Sequence, residues 1–205
     1  PLADQTVVFS VQQGNVTLDT PAAKTDANGI AQTGVRVGTQ AGDIVVRAQW
    51  DTTLSTSHKV VEFRATGVAD FPKEFRLISG DGQCVLQNTT YPTQIVFKLV
   101  DQYGNPEFGA PVVLAVSHGT IVDHGYEESI NVQTDSTGQA GASVIAGYAG
   151  SLTPEGTGVQ VTATYSTNPT IFLTANLTAS ASQYYIHGPT SSTIQAYADY
   201  MLGNI

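Results

Sequence analysis

The chain repeats itself over domain-sized distances. PLADQTVVFSVQQG at Pro1–Gly14 lines up with PEFGAPVVLAVSHG at Pro106–Gly119, and TDANGIA at Thr25–Ala31 with TDSTGQA at Thr134–Ala140. GDIVVRAQW at Gly42–Trp50 matches GVQVTATY at Gly158–Tyr165 with one residue of slippage, and Phe63 is then matched with Phe172. The pattern runs on: KEFRLISG at Lys73–Gly80 resembles SQYYIHG at Ser182–Gly188, and PTQIVFKLVDQYGN at Pro92–Asn105 resembles SSTIQAYADYMLGN at Ser191–Asn204. Several spaced motifs recurring in one order make each copy a folding unit stacked in series. The repeat divides the chain into 1–66, the later part of a first unit, 67–181, a complete second unit, and 182–205, the opening strands of a further one.

Within each copy the hydrophobic period is two. Val7, Phe9 and Val11 alternate with Val8 and Ser10, and Ile44, Val46 and Ala48 with Val45 and Arg47. Ile95, Phe97 and Leu99, then Val112, Leu114 and Val116, then Val159, Val161 and Ala163 do the same. Such segments bury one face and wet the other, and turn clusters about every ten residues favour an antiparallel sandwich over a βαβ fold. Eight Lys+Arg against 17 Asp+Glu leave a net charge of −9, too little positive charge for nucleic acid or an anionic membrane surface. No apolar run approaches the ~18 residues of a membrane span, and one cysteine forms no intrachain disulfide framework. The chain opens at Pro1 without a signal peptide, so it is expected to be processed, excised or read from inside a longer polypeptide.

DQYGNPEFGAPVVLAVSHG, then TDSTGQA, then GTGVQVTATY is similar to the bacterial Ig-like domain of the invasin/intimin type, and PLADQTVVFSV, TDANGIAQTGV and AGDIVVRAQW give the same marks in the first copy. The resemblance covers almost the whole chain. It implies an all-β fold of tandem immunoglobulin-like antiparallel β-sandwiches, each of roughly 100 residues. It also implies an extracellular or cell-surface stalk with no catalytic residues and no cofactor. The outer-membrane barrel and lectin-like head of full-length adhesins have no counterpart here, so a structural role is expected, with recognition of a host receptor or sugar through end loops as the alternative.

The residue types that carry chemistry elsewhere read plainly here. Thr-Asp-x-x-Gly at Thr25–Gly29 and Thr134–Gly138 is an Asp-initiated turn; a calcium loop needs more oxygen ligands. Gly-Asn after Asp101 is a turn signal too. His118 and His124 flank Asp123, but no third imidazole stands near in sequence, so no metal is expected. No nucleophile elbow, phosphate loop or dinucleotide fingerprint occurs, so no enzyme is expected. Cys84, within the apolar stretch QCVL, is expected to be a buried strand thiol, with an intermolecular bridge as the alternative. Trp50 and Tyr165 hold the same place in successive copies.

Pro1 aligns with Pro106, so the first copy has no counterpart of Lys73–Asn105, whereas 182–205 resembles that missing part. Two expectations stay open. Copies of the chain join head to tail, 182–205 of one completing the first sandwich of the next, or the segment belongs to a longer tandem polypeptide. Both place Ile194, Ala196 and Ala198, or the opposite-face Gln195 and Tyr197, against a sheet bearing Val7, Phe9 and Val11; they differ over a covalent link from Ile205 to Pro1.

Overall fold

The computed structural model describes residues 1–50, 59–147 and 157–180. No helix occurs among them. They fall into two compact units, Pro1–Pro72 with Val100–Asn105, and Lys73–Leu99 with the residues from Pro106 on. The first holds β1 (Thr6–Gln13), β2 (Val16–Leu18), β3 (Ala22–Lys24), β4 (Val35–Val37), β5 (Gly42–Trp50) and β6 (Val60–Gly67). Its sheets run β3-β1-β5-β6 and β2-β4, all pairs antiparallel.

The rest of the chain supplies β7 (Pro72–Ser79), β8 (Cys84–Leu86), β9 (Ile95–Asp101), β10 (Pro111–Ser117), β11 (Gly119–Ile121), β12 (Ser129–Gln133), β13 (Gln139–Ala142), β14 (Val144–Ala146), β15 (Thr157–Tyr165) and β16 (Phe172–Ser180). A five-stranded sheet β12-β10-β15-β16-β8 and a three-stranded sheet β13-β9-β7 share one core, and β11-β14 forms a short third pair. The alternation read from the sequence holds: Ile95, Phe97, Leu99, Val112, Leu114, Val161 and Ala163 are fully buried and Val116 nearly so. Phe75 meets Phe97 edge-on at 6.4 Å between ring centroids, an arrangement the ring quadrupoles favour. Lys98, between two buried residues of β9, is half-buried on the other face.

Strand register makes the repeat exact enough to correct the alignment. β1 meets β5 with Val7 opposite Trp50, and β10 meets β15 with Val112 opposite Tyr165, so Trp50 and Tyr165 are equivalent. In the next pair Val46 lies opposite Phe63, whereas its counterpart Val161 lies opposite Ala175. Phe63 therefore corresponds to Ala175, and Phe172 to Val60. The match of Phe63 with Phe172 is wrong by three residues, because the connection before β6 is longer than the one before β16.

The Thr-Asp-x-x-Gly corner is the same device twice. Thr25 Oγ1 accepts from the Gln5 N–H at 2.9 Å and donates to the Leu2 carbonyl at 2.7 Å. Thr134 Oγ1 likewise accepts from the Ala110 N–H at 2.9 Å and donates to the Glu107 carbonyl. Asp26 accepts from the N–H groups of Asn28 and Ile30, and Asp135 from those of Thr137 and Gln139. These bonds to the charged form hold both carboxyls below the ordinary carboxylate range, led by the Ile30 and Gln139 N–H groups respectively. Gly138 closes the corner at φ +77°, and a Cβ there would lie 2.7 Å from the Leu99 carbonyl oxygen. Gly138→Ala is expected to cost about 1–3 kcal/mol, read as a lower urea midpoint with an unchanged slope.

Two further features differ from the sequence reading. Cys84 is exposed, not buried. It opens a three-residue strand that pairs with β16 in parallel, Cys84 opposite Thr178, at the sheet edge. The other neighbours in that sheet pair antiparallel.

Candidate functional site

The first sandwich has a sheet with two unlike faces. On one, Glu62 of β6 accepts from Arg47 of β5 at 3.3 Å and from Arg64 at 2.8 Å, and these guanidiniums hold its carboxyl below the usual range. On the other lie Phe9, Ile44 and Val46, which are buried, with Val7 half-buried and Val11 and Phe63 exposed. A groove of about 420 Å³ runs along this face, lined by Phe9, Ala31, Val35, Ile44, Val46 and Phe63. A second hollow of about 380 Å³, bordered by Val7, Ala48, Trp50 and Val61, lies on the same unit. The indole N–H of Trp50 is buried and has no hydrogen-bond partner among the described residues.

Equivalent positions of the second sandwich show what such a groove receives there. These six lining residues correspond to Leu114, Ala140, Val144, Val159, Val161 and Ala175, all members of the buried core, whereas Arg64, which also borders the groove, corresponds to the exposed Asn176. Phe63 is 57% exposed where Ala175 is fully covered, and Val35 45% where Val144 is fully covered. The cover in the second sandwich is the sheet β13-β9-β7, with Ala140 opposite Phe97 and Ala142 opposite Ile95. Residues 30–33, which correspond to β13, form no strand in the first unit. They have no equivalent of β9 beside them among the described residues, and an unpaired edge beside an apolar face is a template for strand addition.

The sequence-derived site residues divide accordingly. Val7, Phe9 and Val11 lie on β1, with Phe9 in the groove and Val7 at the second hollow. Ile194, Ala196, Tyr197, Ala198 and Ile205 lie outside the described residues. Among the described residues no three His, Cys, Asp or Glu side chains stand together as metal ligands. Asp123, between the two histidines, accepts from the Ser143 N–H at 2.7 Å.

Asp101 is the polar centre of the first unit, although its sequence signal is only that of a turn. It is 1% exposed. Its carboxylate accepts from the N–H groups of Tyr103 and Asn105 at 2.8 Å, from the Asn105 side-chain amide at 2.7 Å and from the Asp70 N–H at 3.0 Å. Asn105 in turn donates to the Thr39 carbonyl at 2.7 Å and accepts from the Ala41 N–H at 2.9 Å. Burial alone raises a carboxyl; here the four donors outweigh it and the Asp101 carboxyl is held at about 2.

No family model and no curated protein sequence matches the chain. Solved structures do. The D0-D1 domain of intimin is similar at 17% identity and a TM-score of 0.37, over 88% of this chain and 83% of that one. Invasin, described as a bacterial integrin-binding protein, is similar at 21% identity and a TM-score of 0.42, over 87% of this chain and 33% of that one. Domains 4 and 5 of the S-layer protein SbsC are similar at 15% identity and a TM-score of 0.34, over 85% and 70%. The chain thus spans a third of the invasin chain and most of the intimin fragment.

Proposed function

We propose that the chain is an extracellular or cell-surface structural module, a stalk segment or filament subunit of tandem Ig-like sandwiches rather than an enzyme. Its first sandwich is completed by residues 182–205 of a second copy, head to tail. The observation that carries this reading is the uncovered apolar face of the first sandwich, where Phe9, Val35, Ile44, Val46 and Phe63 have buried counterparts in the second. The 182–205 segment fits as occupant because it repeats the sequence of the strands that cover the second core. A contact of one end with the other end of a like molecule is heterologous and propagates as an open series.

Sedimentation velocity of the full chain tests this. The expected result is a ladder of species growing with concentration, reduced to monomer by Ile194→Asp, which places a charge among apolar side chains. A monomer at every concentration, with rapid amide exchange at Val7–Val11, overturns it.

A further inference from the structure

The sheet β3-β1-β5-β6 ends at β6, whose one strand neighbour among the described residues is β5. β6 pairs with β5 without a register shift, holds no proline and leaves Val60, Val61 and Phe63 exposed. Of the devices that blunt a sheet edge it has only charge, in Glu62 and Arg64. The second sandwich covers the matching edge. Arg64 and Thr66 correspond to Asn176 and Thr178. There the Asn176 N–H donates to Asp81 Oδ1 at 2.7 Å, and the Asn176 carbonyl accepts from the Gly82 N–H at 2.9 Å. The Thr178 N–H donates to the Gln83 carbonyl at 2.9 Å, and β8 pairs with Thr178–Ser180. In sequence, the stretches that resemble Lys73–Gly80 and Pro92–Asn105 are separated by Pro189 and Thr190 alone, so Asp81–Tyr91 has no counterpart between them. The β6 edge is therefore a question apart from strand donation.

The ladder fixes which amides of β6 face outward. The Trp50 N–H donates to the Lys59 carbonyl at 3.2 Å, so Lys59 turns its backbone groups toward β5. Direction alternates along an antiparallel strand, so Val61, Phe63 and Ala65 also face β5, while Val60, Glu62, Arg64 and Thr66 present N–H and C=O to the open side. An antiparallel second β6 can meet these groups about a two-fold axis near the middle of the strand, at Glu62, Phe63 or Arg64. The first sets Glu62 against Glu62, and the last Arg64 against Arg64. The axis at Phe63 instead sets Glu62 opposite Arg64 twice over, with Val60 opposite Thr66. Each Glu62 then lies between Arg64 of the second copy and Arg47, which already bonds it from β5 at 3.3 Å. Opposite charges directly across antiparallel strands attract and like charges repel. We infer that two copies of the chain pair β6 to β6 with the axis at Phe63, an isologous contact that joins the two four-stranded sheets into one. One strand edge is a small interface, so the pair dissociates readily and is read by trapping.

The experiment is disulfide trapping in the full chain carrying Cys84→Ser, which removes the exposed native thiol, and Ile194→Asp, which takes head-to-tail joining out of the readout. An axis at Phe63 sets the two copies of that position in a non-hydrogen-bonded pair, about 4.5 Å apart at Cα and within disulfide reach. Phe63→Cys is expected to cross-link under mild oxidation at least about tenfold faster than Glu62→Cys or Arg64→Cys, whose two copies lie beyond the ~7 Å limit. Added to the Phe63→Cys chain, Glu62→Arg and Arg64→Glu are each expected to slow trapping at least about fivefold alone. A mixture of the two is expected to return to within about threefold of the parent rate, since every facing pair is then of opposite charge. That recovery also shows both variants folded. Equal trapping at all three positions, no trapping of Phe63→Cys, or a mixture as slow as its components overturns the edge pairing. None of these results bears on strand donation, which is read from Ile194→Asp in the otherwise unaltered chain.

Discussion

Leu99→Ala is expected to lower the unfolding free energy by about 2–5 kcal/mol, seen as a shift of the urea midpoint by far-ultraviolet circular dichroism. Leu99 is fully buried in β9, in the same core as Leu114 and Val161. Truncation removes contacts in a region too closely packed to collapse fully, so a cavity term adds to the lost transfer free energy. The neighbouring Lys98→Thr supplies the contrast. Lys98 is half-buried on the opposite face, and its replacement should stay within about 0.5 kcal/mol of the parent. Reversal of these two effects would mean a β9 register displaced by one residue, which exchanges the faces of every side chain in the strand.

The second large effect belongs to Asp101. Asp101→Ala is expected to cost on the order of 3 kcal/mol, because four N–H donors gathered around one carboxylate lose their acceptor together. The parent should carry an acid signature that the variant lacks. The folded carboxyl sits at about 2 against an ordinary 3.8, so its contribution is fully present above about pH 4 and is lost as the pH falls from about 4 to about 2. That difference amounts to about 2 kcal/mol. Urea unfolding at a series of pH values in this window checks it; a parent and an Asp101→Ala variant losing stability in parallel would exclude Asp101 as the source.

The strands were legible because the alternation of Ile95, Phe97 and Leu99, or of Val112, Leu114 and Val116, reports directly which face meets the core. The turns at Asp26 and Asp135 were legible because their partners lie two and four residues on. Legibility failed where partners are distant. The bond from the Asp70 N–H to Asp101 spans 31 residues, and no local pattern announces it. Phe63 was paired with Phe172 by identity, but unequal connections shift the true equivalence, which only ladder register reveals. Cys84 was read as buried from its apolar neighbours, yet a short edge strand exposes it. Val7, Phe9 and Val11 were rightly placed on a common strand. The groove beside Phe9 also needs Ala31, Val35 and Phe63, which join it only through the fold.

The twice-built threonine–aspartate–glycine corner has a consequence for refolding. Two corners with the same hydrogen bonds present two nearly equivalent nucleation sites within one polypeptide, and tandem β-domains of similar sequence are prone to exchange strands as they fold. A strand in transit selects between them by what its side chains meet, since the backbone offers no discrimination. Where the second sheet carries Leu114 and Ala175, the first carries Phe9 and Phe63, so side-chain size is what sets the two otherwise similar sheets apart.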